Sequence, residues 1–270
     1  MIMPNDTRPQ DLSGLARRYF TSQFTEHDRI FFTDGYVKAT IIFGTSPDIA
    51  SVRELTGSIY DAMDGLLHSF TRRCQREGKN IACMKGCLYC CHQCVLAMPH
   101  EVLFLADHMK KNMSGDEYRQ AMRKTDEKDR ITSGMKAQDF LYYKHPCSLL
   151  SDKGVCSVYP VRPMACRTYL SANVISCIRE QRAPRDMKHF PELYGFPVRA
   201  GRMVNMGITV ALSELKIHNT EWPFESALRT AMKTDNLLEK WLEGQDIFKT
   251  REMGADETEF IENFGRNNAG

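Results

Sequence analysis

The 270-residue chain has no surplus of charge of either sign: 36 lysines and arginines stand against 34 aspartates and glutamates, for a net charge of +2. That balance provides no electrostatic footprint for a polyanion, so no nucleic-acid partner is expected. Long hydrophobic runs are missing as well, so no membrane association is expected. The first 18 residues contain no apolar stretch behind a basic one. With no export signal of that kind, the cytoplasm is the expected compartment. No two glycines are adjacent anywhere in the chain, and no glycine-rich phosphate loop or paired-carboxylate motif stands out.

What the chain does have is ten cysteines: Cys74, Cys83, Cys87, Cys90, Cys91, Cys94, Cys147, Cys156, Cys166 and Cys177. A disulfide framework of this density belongs to short exported chains. In a reducing compartment, closely spaced thiols point to metal or redox chemistry instead.

Around the cysteines the patterning is mainly helical. Residues 29–43 read as a small N-terminal β-hairpin, Arg29–Thr33 and Tyr36–Phe43 joined by Asp34-Gly35, a dipeptide suited to a tight turn. Val52, Leu55, Ile59, Met63, Leu66 and Phe70 step by three or four residues and predict a helix over 51–74, with Ser51 as N-cap and Glu54 three residues on. Cys74 continues that stripe and reads as a core thiol. Pro99 opens a further helix whose Val102, Leu105, Ala106 and Met109 share a face. Residues 116–130 are charged and read as a mostly solvated helix. Six of the eleven prolines fall between 144 and 200, which predicts loops and short turns there. Helical periodicity returns over Met203–Leu215 and Phe224–Leu242, with Gly244 as a natural stop and a polar tail after Lys249.

The first cysteine cluster reads Cys83-x-x-x-Cys87-x-x-Cys90-Cys91-His92-x-Cys94. Two or three residues between cysteines let the chain turn so that both sulfurs converge on one centre. Gly86 favours that turn by taking a conformation closed to other residues. Crowded thiolates repel one another unless a cation neutralises them. His92 is read as a surface polar residue rather than a ligand. The second cluster is looser: Cys147, Cys156, Cys166 and Cys177. Within Cys156-Ser-Val-Tyr159-Pro160-Val-Arg162-Pro163-Met-Ala-Cys166-Arg167, two prolines fix the backbone, and Arg162 and Arg167 are placed to offset a negative thiolate–metal centre.

This combination resembles the YkgJ-type cysteine-cluster family, a zinc- or iron-chelating CxxCxxCC domain. The matching residues are Cys83, Cys87-x-x-Cys90-Cys91, Cys147, Gly154, Cys156, Tyr159, Arg162-Pro163, Cys166-Arg167 and Cys177. One departure is that three residues, not two, separate Cys83 from Cys87. The resemblance implies a metal ligand set of Cys83, Cys87, Cys90, Cys91, Cys147, Cys156, Cys166 and Cys177, and leaves Cys94 outside it. It also extends distantly to flagellin lysine N-methylase, which implies protein modification with S-adenosylmethionine as methyl donor.

Radical S-adenosylmethionine enzymes share the Cys83-x-x-x-Cys87-x-x-Cys90 spacing, but the segments after Cys94 do not read as repeated strand–helix units. Four-cysteine zinc sites are the main chemical alternative. The expected protein is therefore a single, mainly α domain: an N-terminal segment over 1–50, an irregular cysteine-rich metal-binding core over 75–180, and C-terminal helices over 200–250. It is expected to carry an iron–sulfur cluster of the 4Fe-4S type, with zinc as the alternative. Its expected activity is that of an oxidoreductase or a methyltransferase-like protein-modifying enzyme. In the enzyme reading, an open iron binds substrate or methyl donor, oriented by Tyr159, Arg162 or Arg167. The competing readings are a non-catalytic module stapled by zinc, which binds a protein partner, and a metal-handling protein.

Overall fold

The computed structural model describes residues 24–44, 46–84, 86–185 and 190–248. These residues are mainly helical, as expected. The expected tail after Lys249 and the first 23 residues lie outside the described residues.

Helix α1 spans Glu26–Phe43. Thr25 caps it: the Asp28 carboxylate accepts from the Thr25 backbone N–H at 2.7 Å, and the Thr25 hydroxyl accepts from the Asp28 N–H at 3.2 Å. The N-terminal β-hairpin expected over 29–43 is therefore not formed. Phe32, Tyr36, Ala39 and Phe43 are buried at helical intervals. Gly35 is not a turn residue but a contact residue. A Cβ there would overlap the Val204 carbonyl oxygen and lie 3.0 Å from its carbon. Gly207 reciprocates, since a Cβ on it would overlap the Phe32 carbonyl oxygen and lie 2.8 Å from the Tyr36 nitrogen. Both glycines serve the close approach of α1 to α8, Gly195–Glu214. Asp28 pairs with Arg199 near the start of α8 at 2.5 Å, and the Tyr36 hydroxyl donates to Glu214 at its end at 2.6 Å. The two helices thus run side by side in the same direction.

Helix α2, Ile49–Arg76, is the expected long helix, but its cap is Asp48. Ser51 stands at N3 and completes the reciprocal box from inside the helix. Val52, Leu55, Ile59, Met63 and Cys74 are buried along it, joined by Leu67 rather than Leu66. Helix α3, Pro99–Asn112, packs on α2, and Arg53 bonds Asp107 through two nitrogens at 2.8 and 2.6 Å. Helix α4, Gly115–Thr132, is opened by a Ser114–Glu117 box.

After a short α5, Ala137–Tyr142, the proline-rich stretch is irregular as expected, but it contains two helices: α6, Met164–Arg167, and α7, Val174–Arg182. The last expected helix is divided. It forms α9, Phe224–Lys233, and α10, Leu237–Leu242, because Thr234 is extended and Asn236 takes φ +54°. Gly244 ends α10 at φ +85°. The sheet is two residues deep: β1, Leu96–Ala97, pairs antiparallel with β2, Trp222–Pro223. It fixes the first cysteine loop to the start of α9, which packs on both α3 and α4. The core runs continuously from Phe32 and Leu55 through Leu105 and Val158 to Ile208, Leu228 and Trp241.

Candidate metal centre

The ten cysteines are all free thiols. Cys74 is buried in the α2 stripe at 2% exposure, as its periodicity predicts. Beyond α2 the chain turns at Gly86, which takes φ +90°, and the Cys87 N–H bonds the Met84 carbonyl at 3.0 Å. Gly86 thus supplies the left-handed step read from the sequence. A 3-10 turn over Tyr89–His92 then carries Cys90 and Cys91. His92 directs its Nδ1 at the Leu88 carbonyl, 3.0 Å away.

The second cluster is hydrogen-bonded onto the first. Cys147 N–H donates to the Cys91 carbonyl at 2.7 Å, and His145 N–H donates to the His92 carbonyl at 2.9 Å. A small loop brings Cys156 back beside Leu150, with Gly154 at φ +71° in its turn. Cys166 sits in α6. Cys177 sits in α7, which packs on the 89–92 turn. On the same side, the Cys83 sulfur accepts from the Ser171 N–H at 3.2 Å, and Ala82 N–H bonds the Ser171 carbonyl at 2.9 Å.

The electrostatic neighbours of each thiol show how these loops gather the sulfurs. Burial raises Cys83, against the Ser171 N–H, and Cys87 and Cys177 raise it further. Burial drives Cys166 well above the usual thiol range, and Cys147, Cys156 and Cys91 add to this. Burial pushes Cys147 up to about 12, with Cys156 among its neighbours. Cys90 and Cys91 share a hydrogen bond that raises Cys90 and lowers Cys91 to about 7, helped by Lys128. Cys90 also has Cys83 and Cys166 as neighbours. The eight cysteines of the expected ligand set thus form overlapping neighbourhoods linked through Cys90: Cys83 lies with Cys87 and Cys177, Cys166 lies with Cys91, Cys147 and Cys156, and Cys90 neighbours Cys91, Cys166 and Cys83. Among the described residues, no three His, Cys, Asp or Glu side chains form a preassembled metal-binding group. The thiols are neighbours rather than a closed coordination sphere. Cys94 stands apart, its sulfur 3.7 Å from the Tyr143 carbonyl, with burial pushing it up to about 12.

The three expected cofactor-orienting residues are placed differently from one another. Tyr159 is 60% exposed, and the Arg162 guanidinium lies 3.9 Å over its ring and bonds its carbonyl at 2.8 Å. Burial raises Cys156 and the Arg162 charge works against that rise, so this pair lies beside the second neighbourhood. Arg167 is buried at 1% exposure. It stacks 4.1 Å over Tyr60, pairs with Asp64 and bonds the Pro160 carbonyl at 2.7 Å. It staples the 159–167 stretch to α2. Beside it, Glu101 accepts from the Tyr60 hydroxyl at 2.9 Å, from Met164 N–H at 2.6 Å and from Met98 N–H at 3.0 Å. This buried carboxylate holds α6, and therefore Cys166, against α3.

The sequence alone does not single out Lys128. It projects from α4, is 1% exposed and meets Glu225 of α9, 3% exposed, at 2.7 Å. Burial works against its charge, but Glu225 outweighs this, and Cys147 and Cys94 add to the effect, so its pKa is raised. The signal is present as a spacing: Ala121, Thr125, Lys128 and Thr132 form a buried stripe on an otherwise charged helix.

No helix among the described residues is long and apolar enough to cross a membrane. No curated protein and no solved structure matches the chain. One family model does match, over residues 82–189, and its description is "CxxCxxCC: Putative zinc- or iron-chelating domain". The matched span contains both cysteine neighbourhoods and ends short of Glu225. Residues 82–189 thus match the CxxCxxCC cysteine-cluster family model, the family that the spacing of their thiols resembles.

Proposed function

We propose that the two thiol neighbourhoods hold iron–sulfur centres and that the protein transfers electrons. Zinc is the alternative occupant. The observation that supports this reading is the gathering of the eight free cysteines into two overlapping neighbourhoods, Cys83 with Cys87 and Cys177, and Cys166 with Cys91, Cys147 and Cys156, with Cys90 bordering both. Cys90 and Cys91 share a hydrogen bond at the border of the two groups, and the reading assigns one of these thiols to each. Cys83, Cys87, Cys90 and Cys177 would hold one centre, and Cys91, Cys147, Cys156 and Cys166 the other.

An iron–sulfur cluster supplies one-electron chemistry when bound. Four thiolates per centre fill every protein-facing position, which suits electron transfer better than substrate binding at an open iron. The chain's own contribution is to exclude water and to direct N–H donors at sulfur, as Ser171 does at Cys83. Those are the levers by which a protein tunes such a centre. The physiological partner expected from this reading is a protein electron donor or acceptor.

The test is metal and sulfide analysis with an absorption spectrum on protein purified without oxygen. Iron and sulfide in near-equal amounts, with reversible bleaching by dithionite, support the proposal. Stoichiometric zinc in a colourless solution overturns it in favour of a metal-stapled binding module. A spectral change on adding S-adenosylmethionine supports the methyl-transfer reading in its place.

A further inference from the structure

A lysine and a glutamate buried together contribute little to stability, because the desolvation of both charges offsets their attraction. Yet Lys128 and Glu225 are both almost fully enclosed and lie 2.7 Å apart. Their position suggests another purpose. The Lys128 ammonium also donates to the His145 carbonyl at 3.3 Å. His145 and Cys147 are the two residues whose N–H groups bond the carbonyls of His92 and Cys91. Lys128 therefore caps the two-rung ladder that joins the cysteine loops, and places a fixed positive charge beside Cys91, Cys94 and Cys147. Glu225 comes from α9, beyond the matched domain, and reaches the site because β1–β2 and the 2.8 Å Phe224 N–H to Val95 carbonyl bond anchor the start of that helix to the first loop.

We infer that Lys128 is a built-in counter-charge for a metal site that includes Cys91 and Cys147, and that Glu225 holds it in place and moderates its strength. This inference rests on the proposal that these thiols bind metal. A four-thiolate site carries surplus negative charge even when it holds a divalent ion. A buried ammonium nearby offsets that surplus, and the effect is strong because little water intervenes to screen it. Lys128 bonds the His145 carbonyl and Glu225 and would act on the site through the ladder, so it is a positioning residue.

The two partners of the pair make opposite predictions, which separates a charge effect from a packing effect. The measurement is competition for zinc between the full-length chain and a chromophoric chelator, with circular dichroism to show that each variant is folded. Lys128→Gln is expected to weaken zinc binding by about tenfold or more, in the range usual for groups just outside a metal's ligands. Lys128→Arg is expected to restore most of that loss. Glu225→Gln is expected to bind zinc as tightly as the wild type, or more tightly, because the cation is then unopposed. If Lys128→Gln and Glu225→Gln weaken zinc alike, the pair is only a structural clamp and the inference fails. An unchanged affinity in Lys128→Gln also overturns it. If the wild-type chain takes up no zinc, this inference fails, while the iron–sulfur proposal is judged separately by the iron and sulfide analysis.

Discussion

Replacing Gly35 with alanine puts one methyl group where α1 and α8 meet. The new Cβ would overlap the Val204 carbonyl oxygen and stand 3.0 and 3.1 Å from the next two backbone atoms of that residue. Those atoms are backbone, so no side chain can rotate away and the helices must separate. Overpacking of this kind costs about 1–3 kcal/mol, and an immovable obstacle places it at the upper end. Alanine regains about 1 kcal/mol in helix propensity. The net expectation is a loss of about 2 kcal/mol. Gly57 and Gly65 provide the control, because they lie inside α2 and a Cβ at either would meet nothing within 4 Å. Alanine at either is expected to stabilise by up to about 1 kcal/mol. Urea denaturation reads both signs from the midpoint at constant slope. A Gly35→Ala protein as stable as the wild type would refute the helical crossing, and with it the account of why 29–43 is not a hairpin.

Other residues give independent checks. Arg199 holds the Asp28 carboxyl down at about 2, against opposing burial. Its folded pKa lies below its ordinary value, so the stabilisation is present above about pH 4 and is lost as pH falls toward 2. Asp28→Asn should cost about 1–2 kcal/mol at pH 7, less than the full shift implies because Arg199 is partly in water, and should flatten the acid limb of the stability profile. Cys74→Ala should retain metal and cost about 1–2 kcal/mol of packing, whereas Cys166→Ala should lose metal. Metal loss in the first variant, or none in the second, contradicts the assignment of these thiols. Arg167→Lys should cost about 2 kcal/mol, because a point charge cannot stack on Tyr60 while also bonding Asp64 and the Pro160 carbonyl. A calorimetric midpoint equal to that of the wild type would show that these contacts do not matter.

The helices most readable in the sequence are those with a single dominant apolar stripe. In α2 and α3 the burial of Val52, Leu55, Ile59, Val102, Leu105 and Met109 follows their spacing directly. The N-terminal segment reads as a hairpin but folds as a helix because Asp34-Gly35 has two physical uses, and only the partner helix reveals which one applies. Gly35 faces the Val204 backbone, far away in sequence, so the pairing is a tertiary fact. The division of 224–242 depends on one left-handed asparagine, a state with only a weak local signature. At the candidate metal centre, the cysteine spacings and Gly86 are legible because they act over a few residues. The grouping of Cys177 with Cys83, and of Cys147 with Cys91, depends on α7 packing and on the 145–147 ladder. Lys128 is hidden by its neighbours: in a helix rich in charge, one lysine that turns inward looks like all the others. Arg167 stands out in the sequence for its charge, but its role comes from Tyr60 and Asp64 on α2.

The central claim is that the cysteines form two centres and not one. The most direct measurement is the metal content per chain of the wild type, Cys177→Ser and Cys147→Ser, each purified in the same way without oxygen. The account predicts that each variant loses the metal of its own neighbourhood and retains that of the other. Complete loss of metal in both variants would contradict it and show a single shared centre.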